Sequence, residues 1–403
     1  IEHLPGFQMP DPWVTRELTV RDLLSHRSGL PRGDHLWYLS ALDREEVVGR
    51  VRLLEPATSF RSRYGYQNIM FITAGEVIEA ASDRSWDAFL TSRILEPLGM
   101  SRTGTSTSDL VGSDNVATPH VRLDGGVVPI PWPDFDNVGA AGAVNSSVHD
   151  LSRWLQVQLG KGTRDGLTLW SDSVAREMWT PNTVVPLGQE TRRTHPETHL
   201  QAYGMGWFLQ DYRGRLVVRH GGSLDGMRAH VALVPEEGLG VVALTNLNES
   251  RLPVAVVWEV IDRFLEPRAK PRDWNALLHA EAEREREASQ RRETEREKAR
   301  VTGTSPSLPL EAYAGQYRSA LSGDLEVDLE EGTLRLAYGP NYLGTLAHWH
   351  YDTWRVTWQN RSLGSDLLSF QLGSDGTVES LALSGTDRFR RVPAEPVPGG
   401  PSR

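Results

Sequence analysis

The stretch of residues 216–246 constrains the fold most, because its apolar residues recur with the period of two that is typical of strands. Three short runs carry this alternation, at residues 216–219, 229–234 and 240–244. Turn-forming residues separate the runs, at Gly221-Gly222 and at residues 235–238. The pattern predicts three antiparallel strands joined as a meander.

The residues on either side of this stretch carry helical signals. Thr19 and Asp22 have the spacing of a capping box, in which each side chain satisfies a backbone amide at the start of a short helix. The other helical patterns lie at residues 69–79, after Ser85, at residues 148–160 and, beyond the meander, at residues 253–265. Helices, then consecutive strands, then a helix predict an α+β fold in which helices flank an antiparallel sheet.

A charged segment divides the chain. Residues 280–300 contain seven acidic and seven basic residues and almost no apolar ones. Opposite charges stand three residues apart, which favours a solvated helix or a flexible linker, whereas a coiled coil needs an apolar seam that the segment lacks. Beyond it, short strand patterns punctuated by Gly and Asp predict a small antiparallel β domain. We therefore expect a first domain at residues 1–270, a charged helical linker at residues 271–304 and the β domain at residues 305–395.

Composition limits the classes of partner. The net charge is −10, and Lys and Arg are interleaved with Asp and Glu, so no basic stripe exists to neutralise phosphates and we expect no nucleic-acid partner. The absence of cysteine excludes disulfides, thiolate metal sites and a cysteine nucleophile, but it leaves the compartment open. No apolar run of about 18 residues predicts a membrane span. No metal-binding or phosphate-binding motif occurs, and we expect neither metal nor cofactor.

Tyr66 and Asn68, at the predicted start of a helix, are the first candidate catalytic residues. A phenol whose pKa is lowered from about 10 by neighbouring cations can take a proton from an attacking hydroxyl and return it to a leaving group. An amide two residues later can hold the carbonyl of a substrate. Taken alone, the pair has another interpretation, which is an aromatic core residue beside an Asn that caps the helix.

The run His220-Gly221-Gly222-Ser223, at the end of a predicted strand, is the second candidate. Glycines allow a substrate to lie against the strand edge, and a backbone N–H there can point at a developing oxyanion. His220 is placed to donate a hydrogen bond to the substrate or to influence Tyr66. The alternative interpretation is a tight hairpin turn after a structural His.

Several short motifs surround these candidates. In chain order they are Leu4-Pro5-Gly6-Phe7, Leu23-Leu24-Ser25-His26-Arg27-Ser28-Gly29-Leu30, Tyr66-x-Asn68, Glu96-Pro97-Leu98-Gly99-Met100, Ala141-Gly142-Ala143-Val144-Asn145-Ser146-Ser147, Tyr203-Gly204-Met205-Gly206-Trp207-Phe208 and His220-Gly221-Gly222. Together they resemble the serine β-lactamase and penicillin-binding-protein superfamily, in particular its class C β-lactamase-like and esterase-like branch. The resemblance covers residues 1–266, and the β domain looks like one often fused to such hydrolases.

The resemblance implies a β-lactamase/transpeptidase-like fold and a hydrolase acting on an ester, an amide or a D-amino-acid peptide through an acyl-serine intermediate. Its substrate is accordingly a small molecule or a peptide, and a secreted or periplasmic location is favoured. In this family Tyr66 would be the general base and acid, and Asn68 would orient the substrate. His220 stands where many members have Lys, which removes a permanent charge that suits a β-lactam carboxylate and weakens the case for β-lactamase activity.

The same resemblance assigns the opposite wall of the cleft. Gly221 and Gly222 would line it, and the backbone N–H of Ser223 would donate to the oxyanion. No residue here is implied to bind a metal.

The third element of the family, a Ser-x-x-Lys that supplies the nucleophile, is not in the sequence. The chain has three lysines, Lys161, Lys270 and Lys298, and the residues three positions before them are Gln158, Pro267 and Glu295. In the family this motif precedes the segment that Leu4-Pro5-Gly6-Phe7 matches. We therefore expect the 403-residue chain to be an N-terminally truncated part of a longer product, and to be inactive alone.

Two other hypotheses stay open at this stage. The chain could be a non-catalytic ligand-binding pseudoenzyme that kept the cleft and lost the nucleophile. The charged linker and the β domain could also form an interaction module. The coding sequence upstream of Ile1 discriminates between the enzyme and the pseudoenzyme, since a Ser-x-x-Lys there favours the enzyme.

Overall fold

A computed structural model describes residues 1–268, 270–383 and 387–393. The chain divides into two compact units, the first with Ile1–Trp37 and Leu42–Gln290 and the second with Tyr38–Ala41 and Arg291–Arg403. Some residues of the predicted domains lie outside the described ones, namely residue 269 of the first and residues 384–386, 394 and 395 of the second. The domain boundaries drawn from the sequence stay predictions.

The helices lie mainly before and after the central sheet. They are α1 (Pro12–Glu17), α2 (Val20–Leu23), α3 (Arg44–Gly49), α4 (Asn68–Ser82), α5 (Trp86–Leu90), α6 (Glu96–Leu98), α7 (Val148–Leu159), α8 (Asp172–Met178), α9 (Gln189–Thr194), α10 (Leu252–Leu265) and α11 (Trp274–Lys298). 3₁₀ segments occupy Asp34–Leu36, Val51–Leu53, Thr107–Leu110, Asp136–Ala141, Pro235–Glu237, Leu310–Ala312 and Arg361–Leu363, and Thr91–Leu95 is a π-helical turn. Within the described ranges, none of these helices is both long enough and apolar enough to cross a membrane.

Local sequence signals account for where these helices begin and end. The capping box of Thr19 and Asp22 is formed at the start of α2, because each side chain accepts the backbone N–H of the other residue. Ser85 caps α5 and Ser147 caps α7, each through a side-chain oxygen that accepts a backbone N–H of the helix. The helical predictions at residues 69–79, 148–160 and 253–265 are confirmed as α4, α7 and α10.

A six-stranded antiparallel sheet forms the centre of the first unit, in the order β10-β9-β8-β7-β6-β5. Its strands are β5 (Thr183–Val184), β6 (Gln201–Tyr203), β7 (Phe208–Tyr212), β8 (Arg215–Leu224), β9 (Met227–Val234) and β10 (Leu239–Thr245). Two short hairpins lie apart from it, β1 (His120–Leu123) with β2 (Gly126–Pro129) and β3 (Thr163–Arg164) with β4 (Leu167–Thr168).

Helices cover both faces of this sheet. Leu155 of α7 is buried with Val218 and Leu233 on one face, and Trp258 of α10 is buried with Val217 on the other. Because side chains of neighbouring strand residues point to opposite faces, β8 contributes to both cores. The predicted α+β fold, with an antiparallel sheet flanked by helices, is confirmed.

The predicted turn at Gly221-Gly222 is wrong. Both glycines lie inside β8, where Gly221 pairs with His230 of β9. The strand continues to Leu224, and the turn is made by Asp225 and Gly226, the latter with a φ of +78° that favours glycine. Cross-strand pairing therefore overrides the local turn signal, and His220 is followed by extended strand rather than by a hairpin turn.

The charged segment is helical and forms most of α11. Opposite charges three residues apart form ion pairs along it, namely Glu281–Arg284, Glu283–Arg286, Glu293–Arg296 and Glu295–Lys298. Apolar anchoring is confined to the beginning of the helix, where Trp274 and Leu278 are buried. The solvated-helix interpretation of this segment is confirmed.

The second unit contains a closed eight-stranded antiparallel barrel. Its strands are β11 (Gly315–Ser319), β12 (Gly323–Glu330), β13 (Thr333–Tyr338), β14 (Tyr342–His350), β15 (Thr353–Trp358), β16 (Ser365–Leu372), β17 (Val378–Leu383) and β18 (Arg388–Arg391). Alternate residues face the interior, as in β12, where Leu325 and Val327 are buried and Glu326 is exposed. The predicted antiparallel β domain is confirmed, although its closure and the strands β11, β14 and β18 were not predicted.

Candidate active site

Tyr66 and Asn68 stand at the entrance to α4. Gln67 occupies the N-cap position and Asn68 is the first residue of the helix, so the interpretation of Asn68 as the helix cap is wrong. Both Tyr66 and Asn68 are half-buried. Neither the hydroxyl of Tyr66 nor the amide of Asn68 hydrogen-bonds to any residue that the structure describes. The two polar groups are therefore available to a bound molecule.

A buried carboxylate ties the segment before Tyr66 to α2. Asp22 has no exposed side-chain surface and accepts hydrogen bonds from Arg27 at 2.6 Å, from Arg61 at 2.7 and 2.9 Å and from Thr19 at 2.7 and 2.9 Å. Burial alone would raise the pKa of Asp22, but the hydrogen bonds from Arg61, Thr19 and Arg27 outweigh it and lower the pKa to about 2. The ionised Asp22 therefore holds Arg61, which lies five residues before Tyr66 in the chain.

The phenol of Tyr66 is surrounded mainly by rings. The His26 ring lies 4.2 Å and the His220 ring 6.3 Å from the Tyr66 ring, centroid to centroid, and the Arg32 guanidinium lies 5.0 Å from it. Burial raises the pKa of Tyr66 above its usual value, and the opposing effect of Arg32 is smaller. The expectation of a lowered pKa is therefore wrong for these surroundings, because one guanidinium does not offset the loss of water.

His220 uses both ring nitrogens within the protein. Nδ1 lies 2.7 Å from the carbonyl oxygen of Gly221 and Nε2 lies 3.0 Å from the hydroxyl of Tyr203. Burial lowers the pKa of His220, so the ring is neutral at pH 7. A carbonyl only accepts, so Nδ1 carries the proton and Nε2 accepts from Tyr203, whose own pKa burial raises. His220 is thus not the free donor to substrate that the sequence suggested.

Tyr203 is a site residue that sequence reasoning missed. It belongs to the motif at residues 203–208, but its hydrogen bond to His220 joins residues 17 positions apart on strands that are not neighbours in the sheet. The position of Tyr203 in β6 gives no local signal of such a partner.

The strand edge beyond Arg219 is open. The pairing of β7 with β8 ends at Phe208 and Arg219, whereas β9 continues to pair with His220 and the residues after it. In the described part of the chain, no strand pairs with the other edge of β8 from His220 onward. Gly221, Gly222 and Ser223 are exposed there, so their backbone groups on that edge are accessible to an extended ligand.

The structure therefore brings together part of the predicted site. The rings of Tyr66 and His220 lie 6.3 Å apart, centroid to centroid, Asn68 is on the helix that Tyr66 precedes, and Gly221, Gly222 and Ser223 continue the strand from His220.

Comparisons with known proteins agree with this architecture. The family described as Beta-lactamase matches residues 2–265, and a domain of unknown function, DUF3471, matches residues 299–395. The Unguisins hydrolase ungD' of Aspergillus campestris (strain IBT 28561) is 30% identical over 326 residues, which cover 77% of this chain and 58% of that protein.

Two solved structures share the fold. The octameric penicillin-binding protein homologue from Pyrococcus abyssi superposes with a TM-score of 0.54 at 19% identity, over 96% of this chain and 84% of that one. The D-stereospecific amidohydrolase from Streptomyces sp. gives a TM-score of 0.52 at 21% identity, over 66% of this chain and 78% of that one.

The chain spans 58–60% of the length of the first two curated relatives that it matches. The match to the family nevertheless covers more than half of the chain, and it includes every candidate site residue. The chain belongs to the beta-lactamase family.

Proposed function

We propose that the chain is the larger part of a serine hydrolase that cleaves an ester, an amide or a D-amino-acid peptide through an acyl-serine intermediate. The serine and its lysine would lie on a Ser-x-x-Lys segment outside these 403 residues. The observation that carries the proposal is the pair of unbonded polar groups on Tyr66 and Asn68, beside an open strand edge that begins at His220.

The proposed reaction assigns a role to each of these groups. The serine Oγ attacks the substrate carbonyl while Tyr66 takes the hydroxyl proton, and the resulting oxyanion accepts a hydrogen bond from the N–H of Ser223. Tyr66 then gives the proton to the leaving group as the acyl-serine forms. Water then attacks the acyl carbonyl while Tyr66 removes its proton, and Tyr66 returns this proton to the serine Oγ as the bond between Oγ and the acyl carbon breaks and the acid product leaves. Asn68 holds the substrate during both steps.

The proposed role of Tyr66 requires a cation in addition to the nearby Arg32. A phenol accepts a proton well only if its anion is stabilised, and the residues around Tyr66 do not achieve this at neutral pH. An ammonium group next to the nucleophile would favour the phenolate by direct attraction. A Ser-x-x-Lys segment would supply both groups, the nucleophile from its serine and the ammonium group from its lysine.

The hydrogen bonds of His220 give it a role different from a substrate donor. Its Nδ1–H donates to the carbonyl of Gly221, and its Nε2 accepts from the hydroxyl of Tyr203. The ring therefore fixes the backbone of the first residues of the open edge. A neutral imidazole in this place adds no charge to the cleft. The proposed substrates accordingly do not depend on an anionic group at this position.

The relative from Aspergillus campestris is named a hydrolase of unguisins, which supports hydrolysis as the reaction class.

Gly222 provides the test of the open edge. It is two residues after His220, so a side chain introduced there would point to the same face of β8 as His220. In the proposed site, a Val side chain would occupy the space of the substrate. In the full-length protein, meaning the product of the complete coding sequence, Gly222→Val should lower kcat/KM by about tenfold or more, since a misfit of one methylene costs about 1–3 kcal/mol. Turnover of p-nitrophenyl esters and D-amino-acid amides measures this.

Arg215→Val, an exposed position at the other end of β8, is the matched control and should leave kcat/KM unchanged. Equal effects of the two substitutions would contradict the proposed substrate position. A full-length protein that hydrolyses none of the esters, amides or peptides would contradict the proposed reaction.

A non-catalytic ligand-binding protein is the second candidate, because none of the three lysines in the chain belongs to a Ser-x-x-Lys. That function needs only the cleft formed by Tyr66, Asn68 and the edge of β8. Saturable binding of a D-amino-acid peptide without turnover by the full-length protein would favour it over the hydrolase.

A further inference from the structure

His26 is a residue of the site that the proposed reaction does not use. It lies in the motif at residues 23–30, and only 1% of its surface is exposed. Its backbone is left-handed, with a φ of +51°, which is uncommon for a residue other than glycine. A non-glycine residue in this conformation persists where its surroundings require it, so the contacts of His26 show what is required.

Those contacts are with the two residues that flank Tyr66. The Nδ1 atom of His26 accepts the backbone N–H of Gln67 at 3.1 Å, and the carbonyl oxygen of His26 accepts the backbone N–H of Gly65 at 2.9 Å. The ring of His26 lies 4.2 Å from the ring of Tyr66. His26 therefore holds Tyr66 through the chain before it, the chain after it and the side chain itself.

The chemistry of the imidazole fits this role. Burial is the main cause that lowers the pKa of His26 to about 3, so the ring is neutral at pH 7. Nδ1 accepts from Gln67, so the proton is on Nε2, and Nε2 has no hydrogen-bond partner among the described residues. The ring is enclosed instead by Phe71 at 5.0 Å and by Tyr203 at 4.6 Å.

The left-handed backbone is what makes the double contact possible. A single residue offers its side-chain acceptor and its carbonyl to two amides that are only two positions apart in the chain. Gln67 strengthens the same junction, because its side chain donates to the carbonyl of Pro31 at 2.7 Å. The start of α4 thus rests on the loop that contains His26.

We propose that His26 is a positioning residue that fixes the hydroxyl of Tyr66 and the amide of Asn68 in the cleft. The inference rests on the proposed function, because it assigns to His26 an effect on turnover through Tyr66. It requires a hydrogen-bond acceptor at Nδ1 and a left-handed backbone, and it requires no proton transfer by His26 itself.

Two substitutions separate these requirements. Glycine and asparagine both tolerate the left-handed conformation, but only asparagine keeps an acceptor on its side chain. In the full-length protein, His26→Gly should lower kcat by about 10²-fold, the scale of a misplacement of about 1 Å. His26→Asn should recover at least about tenfold of this loss. The thermal midpoints of the two variants show whether both are folded at the assay temperature.

A double-mutant cycle with Tyr66→Phe tests whether the effect passes through the phenol. If His26 acts by placing Tyr66, His26→Gly should change the residual kcat of the Tyr66→Phe protein little. Equal losses from His26→Gly in both backgrounds, or an Asn variant as impaired as the Gly variant, would overturn the proposal. An inactive wild-type protein would instead contradict the proposed function.

Amide hydrogen exchange on the 403-residue chain tests the hydrogen bond between the Gln67 N–H and His26 Nδ1 without an activity assay. The amide of Gln67 should exchange faster in His26→Gly than in the wild type, and His26→Asn should restore much of its protection. Unchanged protection of the Gln67 amide in His26→Gly would overturn the proposal even in a protein without turnover.

Discussion

Replacing Tyr66 by Phe in the full-length protein should lower kcat by about 10²–10⁴-fold, the usual contribution of a general acid–base residue. The free energy of unfolding should change little, because the hydroxyl makes no hydrogen bond to the described residues and the ring that packs against His26 is retained. Steady-state turnover of an ester substrate and urea unfolding measure the two effects separately.

Tyr64→Phe is the matched control for this experiment. Tyr64 is two residues earlier, its hydroxyl also has no hydrogen-bond partner in the described part of the chain, and burial raises its pKa as it does that of Tyr66. Its removal should leave kcat close to the wild-type value. A Tyr66→Phe protein with near-normal kcat, or equal losses in both variants, would remove Tyr66 from the mechanism.

Replacing Asp22 by Ala should lower the free energy of unfolding by about 3–5 kcal/mol, the typical cost of removing one partner from a buried ion pair. Asp22 is fully buried and pairs with both Arg27 and Arg61, so its loss leaves two guanidinium groups without this carboxylate partner. Glu259→Ala is the control, because the exposed pair of Glu259 with Arg263 should contribute only about 0.3–0.5 kcal/mol. Urea unfolding compares the two variants.

The same carboxylate predicts a pH dependence. Its pKa is lowered from 3.8 to about 2 in the folded protein, so its contribution to stability is complete above the unfolded pKa and is lost as the pH falls through 3.8 towards 2. The part of the stability difference between wild type and Asp22→Ala that is linked to this titration is about 2 kcal/mol. A difference that stays constant from pH 6 to pH 2.5 would contradict the lowered pKa.

The sequence predicted well those features that depend on neighbours along the chain. The capping box of Thr19 and Asp22 and the ion pairs of α11 need only a spacing of three residues, which is readable in one dimension. The period of the apolar residues likewise predicted the order of helices and strands in the first unit. The family resemblance added the pairing of Tyr66 with His220, which no local pattern contains.

The sequence did not reveal features that depend on contacts across the fold. Gly221 and Gly222 carry a strong turn signal, but pairing with β9 keeps them in the strand. The direction of the pKa shift of Tyr66 depends on how much water the fold removes, which its neighbours in sequence do not determine. The hydrogen bonds of His26 with Gly65 and Gln67 join segments that are far apart in the chain, so no local pattern indicates them.

We propose, as the central point, that this chain carries the proton-transfer and substrate-binding side of a serine hydrolase and lacks its nucleophile. Intact-mass spectrometry after fluorophosphonate treatment tests it on two proteins, the 403-residue chain and the full-length product. The account predicts a covalent adduct on the full-length product alone. An adduct on the 403-residue chain, or no adduct on either folded protein, would contradict it.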